Sequence, residues 1–170
     1  MPIFKIYNGV MPTTGEMLTQ LTGTAIKTML QVKGNAGIPM EVLGWGVSMA
    51  GVAAAEGVKW ELIETGTVFA TLTTLVAADV VAWDSPAIVA GAGTYFSFGT
   101  TATGYWSTGG PTEGSIVASR VFDSQKIQQS GQYVWDFHGD KPYISPVSSL
   151  RIRCLAATTV AAQCFIRVRV

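Results

Sequence analysis

From Ala25 to Val170 the chain keeps returning to one pattern, a β-branched or aromatic residue at every second position, broken by clusters of Gly, Pro, Ser and Asp. Successive side chains of a strand point to opposite faces, so this spacing predicts half-buried strands and an all-β sandwich or barrel. Helical spacing recurs in one place, TTGEMLTQLTG. There Thr13-x-x-Glu16 resembles a capping box, Met17, Leu18 and Leu21 share a face, and Gly23 stands where a helix would stop. Residues 1–22 are therefore expected to form an N-terminal arm or a short helix, ahead of a single β-sandwich domain over residues 23–170.

The first strand pattern, AIKTMLQVK, puts Ile26, Leu30 and Val32 on one face and Lys27, Met29, Gln31 and Lys33 on the other. MEVLGWGVSMA is apolar on both faces, which marks a central strand, and Gly44 and Gly46 beside Trp45 predict a close approach or a bulge. VKWELIET alternates Val58, Trp60 and Leu62 against Lys59, Glu61 and Ile63, and TVFATLTT is expected to return beside it as a hairpin. After long loop-like text over residues 77–114 come GSIVASRVFD, QYVWDF and a final expected hairpin of SLRIRCLA with QCFIRVRV. About eight strands in two antiparallel sheets point to a jelly-roll-like or related Greek-key sandwich, with the strand order open.

A chain of 170 residues suits one domain. Its charged residues are 13% of the total, against about 25% in an average globular protein. A surface so short of charge is expected to be covered by other subunits, identical or different. Eleven basic residues balance eleven acidic ones, so the electrostatic footprint of a nucleic-acid binder is missing. MPIFKIYNGV lacks the charged start and apolar stretch of a secretory signal, and prolines and glycines make Ser85 to Thr112 a loop rather than a membrane span. The expectation is a soluble chain made in the cytoplasm, with no membrane partner.

Chemistry-bearing groups are sparse. His138 is the sole histidine, and Asp136, His138 and Asp140 alternate in a way that would offer a metal three ligands. A polar turn explains the same residues, and no metal is expected. GWGVSMAG has G-x-S-x-x-G rather than a nucleophile elbow, GAGTYF lacks the third glycine of a dinucleotide fingerprint, and Glu61 and Glu64 read as strand residues. Neither an enzyme nor a cofactor is expected. Cys154 and Cys164, ten apart on the expected last hairpin, would face each other, although two reduced core cysteines are the simpler reading.

The aromatic residues divide by context. Trp45, Trp60 and Trp135 lie inside strand patterns and are assigned to the core, whereas Trp83, Tyr105 and Trp106 lie in loops and are candidates for a subunit interface or, as the alternative, a sugar-stacking platform. Ile3, Phe4, Ile6 and Tyr7 precede the first expected core strand, so the arm that carries them is a further interface candidate, with an edge strand of the chain's own sheet as the alternative. Four of the five arginines, Arg151, Arg153, Arg167 and Arg169, fall in the last twenty residues. On a shared hairpin face they would repel unless carboxylates stood among them. Those carboxylates are either the chain's own Glu41, Glu61 or Glu64, or an acidic patch on a neighbouring subunit.

TAIKTMLQV, VLGWGVSMAG, VKWELIETGTVFATLTT, SFGTTATGY, EGSIVASRVFDSQKI, QYVWDFHGDKPYI and LRIRC together resemble a family of small structural proteins encoded by tailed phages and prophages of actinobacteria. The resemblance runs from about Gly23 to Ala156. It implies a virion component, a decoration or cement protein on the outside of a head shell, with a carbohydrate-binding or adhesion module of the virion tail as the alternative. Its implied partners are copies of itself, in a homotrimer, and the major capsid protein. No catalytic residue comes with the family.

Overall fold

The computed structural model describes residues 1–12, 14–52, 55–84, 91–106, 113 and 118–170. Their strands are β1 (Ile3–Tyr7), β2 (Gln20–Leu21), β3 (Lys27–Lys33), β4 (Met40–Ala50), β5 (Val58–Thr65), β6 (Thr73–Thr74), β7 (Val81–Ala82), β8 (Gly104–Tyr105), β9 (Ala118–Ile127), β10 (Gln132–Asp136), β11 (Tyr143–Ile144), β12 (Ser149–Leu155) and β13 (Ala161–Arg169). Among the described residues, helix is confined to single turns at Ala77–Asp79 and Ala92–Tyr95.

Two antiparallel sheets pack face to face. One has the order β10-β4-β13-β1-β7, with β11 also on β4 and β2 on β13; the other has the order β6-β8-β3-β12-β5-β9. The eight long strands pair as a single hairpin rolled up on itself: β1 with β13, β3 with β12, β4 with β10, and β5 with β9. That is the pairing of a jelly roll, in which successive long strands alternate between the two sheets except at β5 and β9, where the rolled hairpin turns back.

Alternation decides which side chains fill the space between the sheets. Phe4 and Ile6 of β1, Trp45 and Val47 of β4, and Cys164, Ile166 and Val168 of β13 come from one sheet; Leu30, Trp60, Leu62, Leu150, Ile152 and Cys154 come from the other, and all are buried. Each large apolar side chain so buried contributes about 1.5–3 kcal/mol. On β3 the alternation slips. Ile152 faces Leu30 but Arg153 faces Thr28, so Met29 is the extra residue of a bulge and is buried beside Leu30. Ile26, assigned by strict alternation to the core face, precedes β3 and is exposed.

Several expectations are corrected. The described part of residues 1–22 is neither an arm nor a helix, because β1 lies inside a sheet between β13 and β7 and β2 adds to β13. The proposed capping residue Thr13 lies outside the described residues. The last two strands do not form a hairpin: β12 belongs to the six-stranded sheet and β13 to the seven-stranded one. Nor does TVFATLTT return beside β5, whose neighbours are β12 and β9; its Thr73 and Thr74 pair with β8. Residues 85–90, 107–112 and 114–117, read as loop and as the start of β9, fall outside the described part.

Candidate functional site

The outer face of the seven-stranded sheet is built around two glycines of β4. Gly44 and Gly46 carry no side chain at positions where the sheet faces outward, and Phe165 on β13 stands directly opposite Gly46. A Cβ at Gly46 would lie 2.6 Å from the Phe165 ring, so the missing side chain is what lets the ring lie flat across the strand. Tyr7 of β1 packs on that ring with centroids 5.8 Å apart. The Lys5 ammonium sits 4.0 Å from the centroid of Phe165 and 5.3 Å from that of Trp83. Trp83 follows β7, is tied to β1 by its N–H donating to the Ile3 carbonyl at 2.7 Å, and leaves 57% of its surface exposed.

Beside this aromatic strip lies a cleft of about 340 Å³, lined by Ile3, Leu43, Trp83, Phe137, His138 and Arg167 among others. Arg167 donates to Asp136 at 2.6 Å and Arg169 to Glu41 at 2.6 Å. Both pairs join β13 to its own sheet, so the arginines are neutralised where they stand. Half-exposed pairs of this kind contribute at most about 1 kcal/mol each. Their main effect is on composition: the face is apolar, aromatic and guanidinium-bearing with little net charge, as the cores of protein interfaces are.

The other two arginines lie on the outer face of the six-stranded sheet. Arg153 donates to Glu61 at 2.5 Å, and the Lys59 ammonium lies 2.6 Å from the same carboxylate. Burial opposes ionisation of Glu61, but hydrogen bonds from Lys59 and Arg153 outweigh it and hold the carboxyl below its ordinary value. Arg151 has no exposed surface. It donates to the Val68 carbonyl from a segment that crosses the sheet, held down by Gln31, which accepts from the Ala70 N–H and donates to the Ala102 carbonyl. The Glu113 carboxylate stands 4.0 Å from Arg151 Nη1 and accepts from the Thr28 hydroxyl at 2.8 Å. Burial lowers the pKa of Arg151 to about 10, with Glu113 working against it, so the guanidinium stays charged at neutral pH.

The arginines thus meet the chain's own carboxylates, Glu41 and Glu61 as anticipated, together with Asp136 and Glu113; Glu64 pairs with Arg120. They do not share one face, because β12 and β13 lie in different sheets. Of the other interface candidates, Ile3, Tyr7 and Trp83 reach the outer face of the seven-stranded sheet. Phe4 and Ile6 are core, and so are Tyr105 and Trp106, since β8 is drawn in beside β3. Trp135, assigned to the core, is 49% exposed because β10 is an edge strand. Its exposure had no signal in the alternation, which is the same at an edge as at the centre of a sheet.

Asp123 of β9 accepts from Trp45 Nε1 at 3.1 Å and from the Tyr133 hydroxyl at 2.7 Å, so it pins β4 and β10 of one sheet to the edge of the other. Burial and this bond raise the Tyr133 pKa well above that of a free phenol. Cys154 and Cys164 are free, buried and on opposite sheets; burial pushes the Cys154 thiol up to about 12 and Cys164 well above its ordinary value. Among the described residues no group of three or more His, Cys, Asp or Glu is placed to hold a metal ion, and Asp136 is committed to Arg167. Comparison with protein-family models, with curated proteins and with solved structures finds no match to this chain.

Proposed function

We propose that this chain is a structural subunit of a tailed-phage virion, a decoration protein that binds the outside of the head shell. The observation that carries the reading is the outer face of the seven-stranded sheet, where Trp83, Tyr7, Phe165 and self-neutralised arginines make a low-charge surface suited to contact with protein. The resemblance of the stretches between Gly23 and Ala156 to phage structural proteins supports it. So does the jelly roll, which recurs in viral capsid and lectin domains, although a fold by itself assigns no function. In this role the subunit bridges major capsid proteins, and assembly as a homotrimer multiplies weak contacts by avidity. The bridging contacts bind the assembled shell and oppose forces that pull its subunits apart.

The test is to add the purified chain to empty shells and count the bound copies in a reconstruction of the particle. Many copies on the outer surface, lost when Trp83 is replaced by Ala, are expected. A few copies at the tail would place the protein elsewhere in the virion. The cleft beside Trp83 favours one second reading, a carbohydrate-binding module, because an exposed indole next to Asp136, His138 and Arg167 offers a stacking face and hydrogen-bonding groups. That reading predicts a change in tryptophan fluorescence on adding sugars, abolished by Trp83→Ala, and no shell binding.

A further inference from the structure

Among the described residues the two sheets have four edges, and three of them are blunted. At one end of the seven-stranded sheet β7 has two residues, and at one end of the six-stranded sheet β6 has two. The other end of the six-stranded sheet is β9, which carries two register shifts and the charged Arg120 and Lys126. Short strands, bulges and charges are the devices by which proteins protect edges. The remaining edge, β10, reads Gln132-Tyr133-Val134-Trp135-Asp136, pairs with β4 without a shift, and has no proline, lysine or arginine.

Its free side is ready to pair. Gly131 accepts from the Met49 N–H and the Phe137 N–H donates to the Leu43 carbonyl, so the odd-numbered residues bond to β4. The N–H and C=O groups of Gln132, Val134 and Asp136 point away from it, and none of them has a backbone partner among the described residues. Val134 is 59% exposed.

We propose that β10 pairs antiparallel with β10 of a second copy about a two-fold axis through Val134. The partner is a second copy because the strand complements itself in this register. Val134 meets Val134, Gln132 meets Asp136, and Tyr133 meets Trp135. Apolar, polar and aromatic side chains each face their own kind. The residues brought opposite as hydrogen-bonded pairs are the even-numbered ones, whose backbone groups are free, giving about six new bonds across the axis. Tyr133 and Trp135 fall at the closer, non-hydrogen-bonded positions, where aromatic pairs contribute about 0.2–1 kcal/mol each. The Asp136 carboxylate, already accepting from Arg167, keeps acceptor sites for the Gln132 amide. A slip of two residues sets Val134 against Gln132 in one direction and against Asp136 in the other, an apolar side chain against a polar one either way. A slip of one puts the free backbone groups out of phase.

The contact is isologous and closed. It is independent of the virion reading, since it is tested on the purified chain, and it leaves the aromatic strip around Trp83 for other partners. If the subunits also form trimers, the two-fold contact joins trimers to one another.

Val134→Cys places two thiols at a spacing of about 5.5 Å between Cα atoms, which a disulfide spans. The native Cys154 and Cys164 are buried and leave the result clean. Under mild oxidation this variant is expected to give a covalent dimer, at least tenfold faster than Val52→Cys, a control at another exposed valine. Val134→Lys sets two ammonium groups against each other while leaving the bonds to β4 in place. It should fold, as circular dichroism will show, with half the assembly mass of the unmodified chain by light scattering. Cross-linking no faster than the Val52→Cys control, or an unchanged mass for Val134→Lys, overturns the proposal.

Discussion

Arg151 shows how far a single residue can depend on one distant partner. It is fully buried, its Nε and Nη1 have no hydrogen-bond partner among the described residues, and the nearest opposite charge is Glu113. Removing one member of such a pair leaves a buried charge uncompensated, whereas removing the cation itself removes the demand. Glu113→Gln is therefore expected to destabilise the fold by about 3 kcal/mol. Arg151→Met, of similar volume, should cost less than half as much in urea denaturation. If Arg151→Met proves the costlier change, Glu113 is not the group that makes the buried guanidinium tolerable. That Arg151 would need a carboxylate was legible in the sequence. Its burial was not, because burial comes from a segment crossing the outside of the sheet, and no pattern within β12 reports what lies over it.

At the scale of elements, β1 illustrates the limit of local reading. Ile3, Phe4, Ile6 and Tyr7 alternate like any strand, but nothing near them in sequence pairs with them. Their partner is β13, at the far end of the chain. Deleting residues 1–12 removes β1 from the middle of a sheet along with the fully buried Phe4 and Ile6. Those two side chains alone contribute about 1.5–3 kcal/mol each, a large share of a typical stability of 5–15 kcal/mol. The shortened chain is expected to lose its cooperative thermal transition. A transition within a few degrees of that of the full chain would show that the sheet closes without β1. The same limit explains the mistaken final hairpin: a short link between two alternating stretches serves a hairpin and a crossing between sheets equally well.

For the molecule as a whole, the rolled-up pairing sets how the chain must fold. Among the eight long strands β5 with β9 is the least remote pair, and each further pair of the rolled hairpin encloses the one before it, out to β1 with β13. Non-local pairing costs loop-closure entropy before any contact compensates, and all-β sandwiches of this kind fold in milliseconds to seconds. Refolding followed by the fluorescence of the buried Trp45 and Trp60 is expected in that range. Recovery of the native signal within microseconds would contradict it.

By itself the sequence determined the strand character of most of the chain, the inward residues of β5, β12 and β13, the central place of β4, and the shortage of charge. These depend on chemical identity and on a period of two, both of which are local. Only the tertiary structure decided which sheet each strand joins, which arginine meets which carboxylate, and that β10 and Trp135 stand at an open edge. Alternation divides a strand into two faces but does not name its neighbours. Those are fixed by burying every apolar face at once, a condition that the whole chain satisfies together.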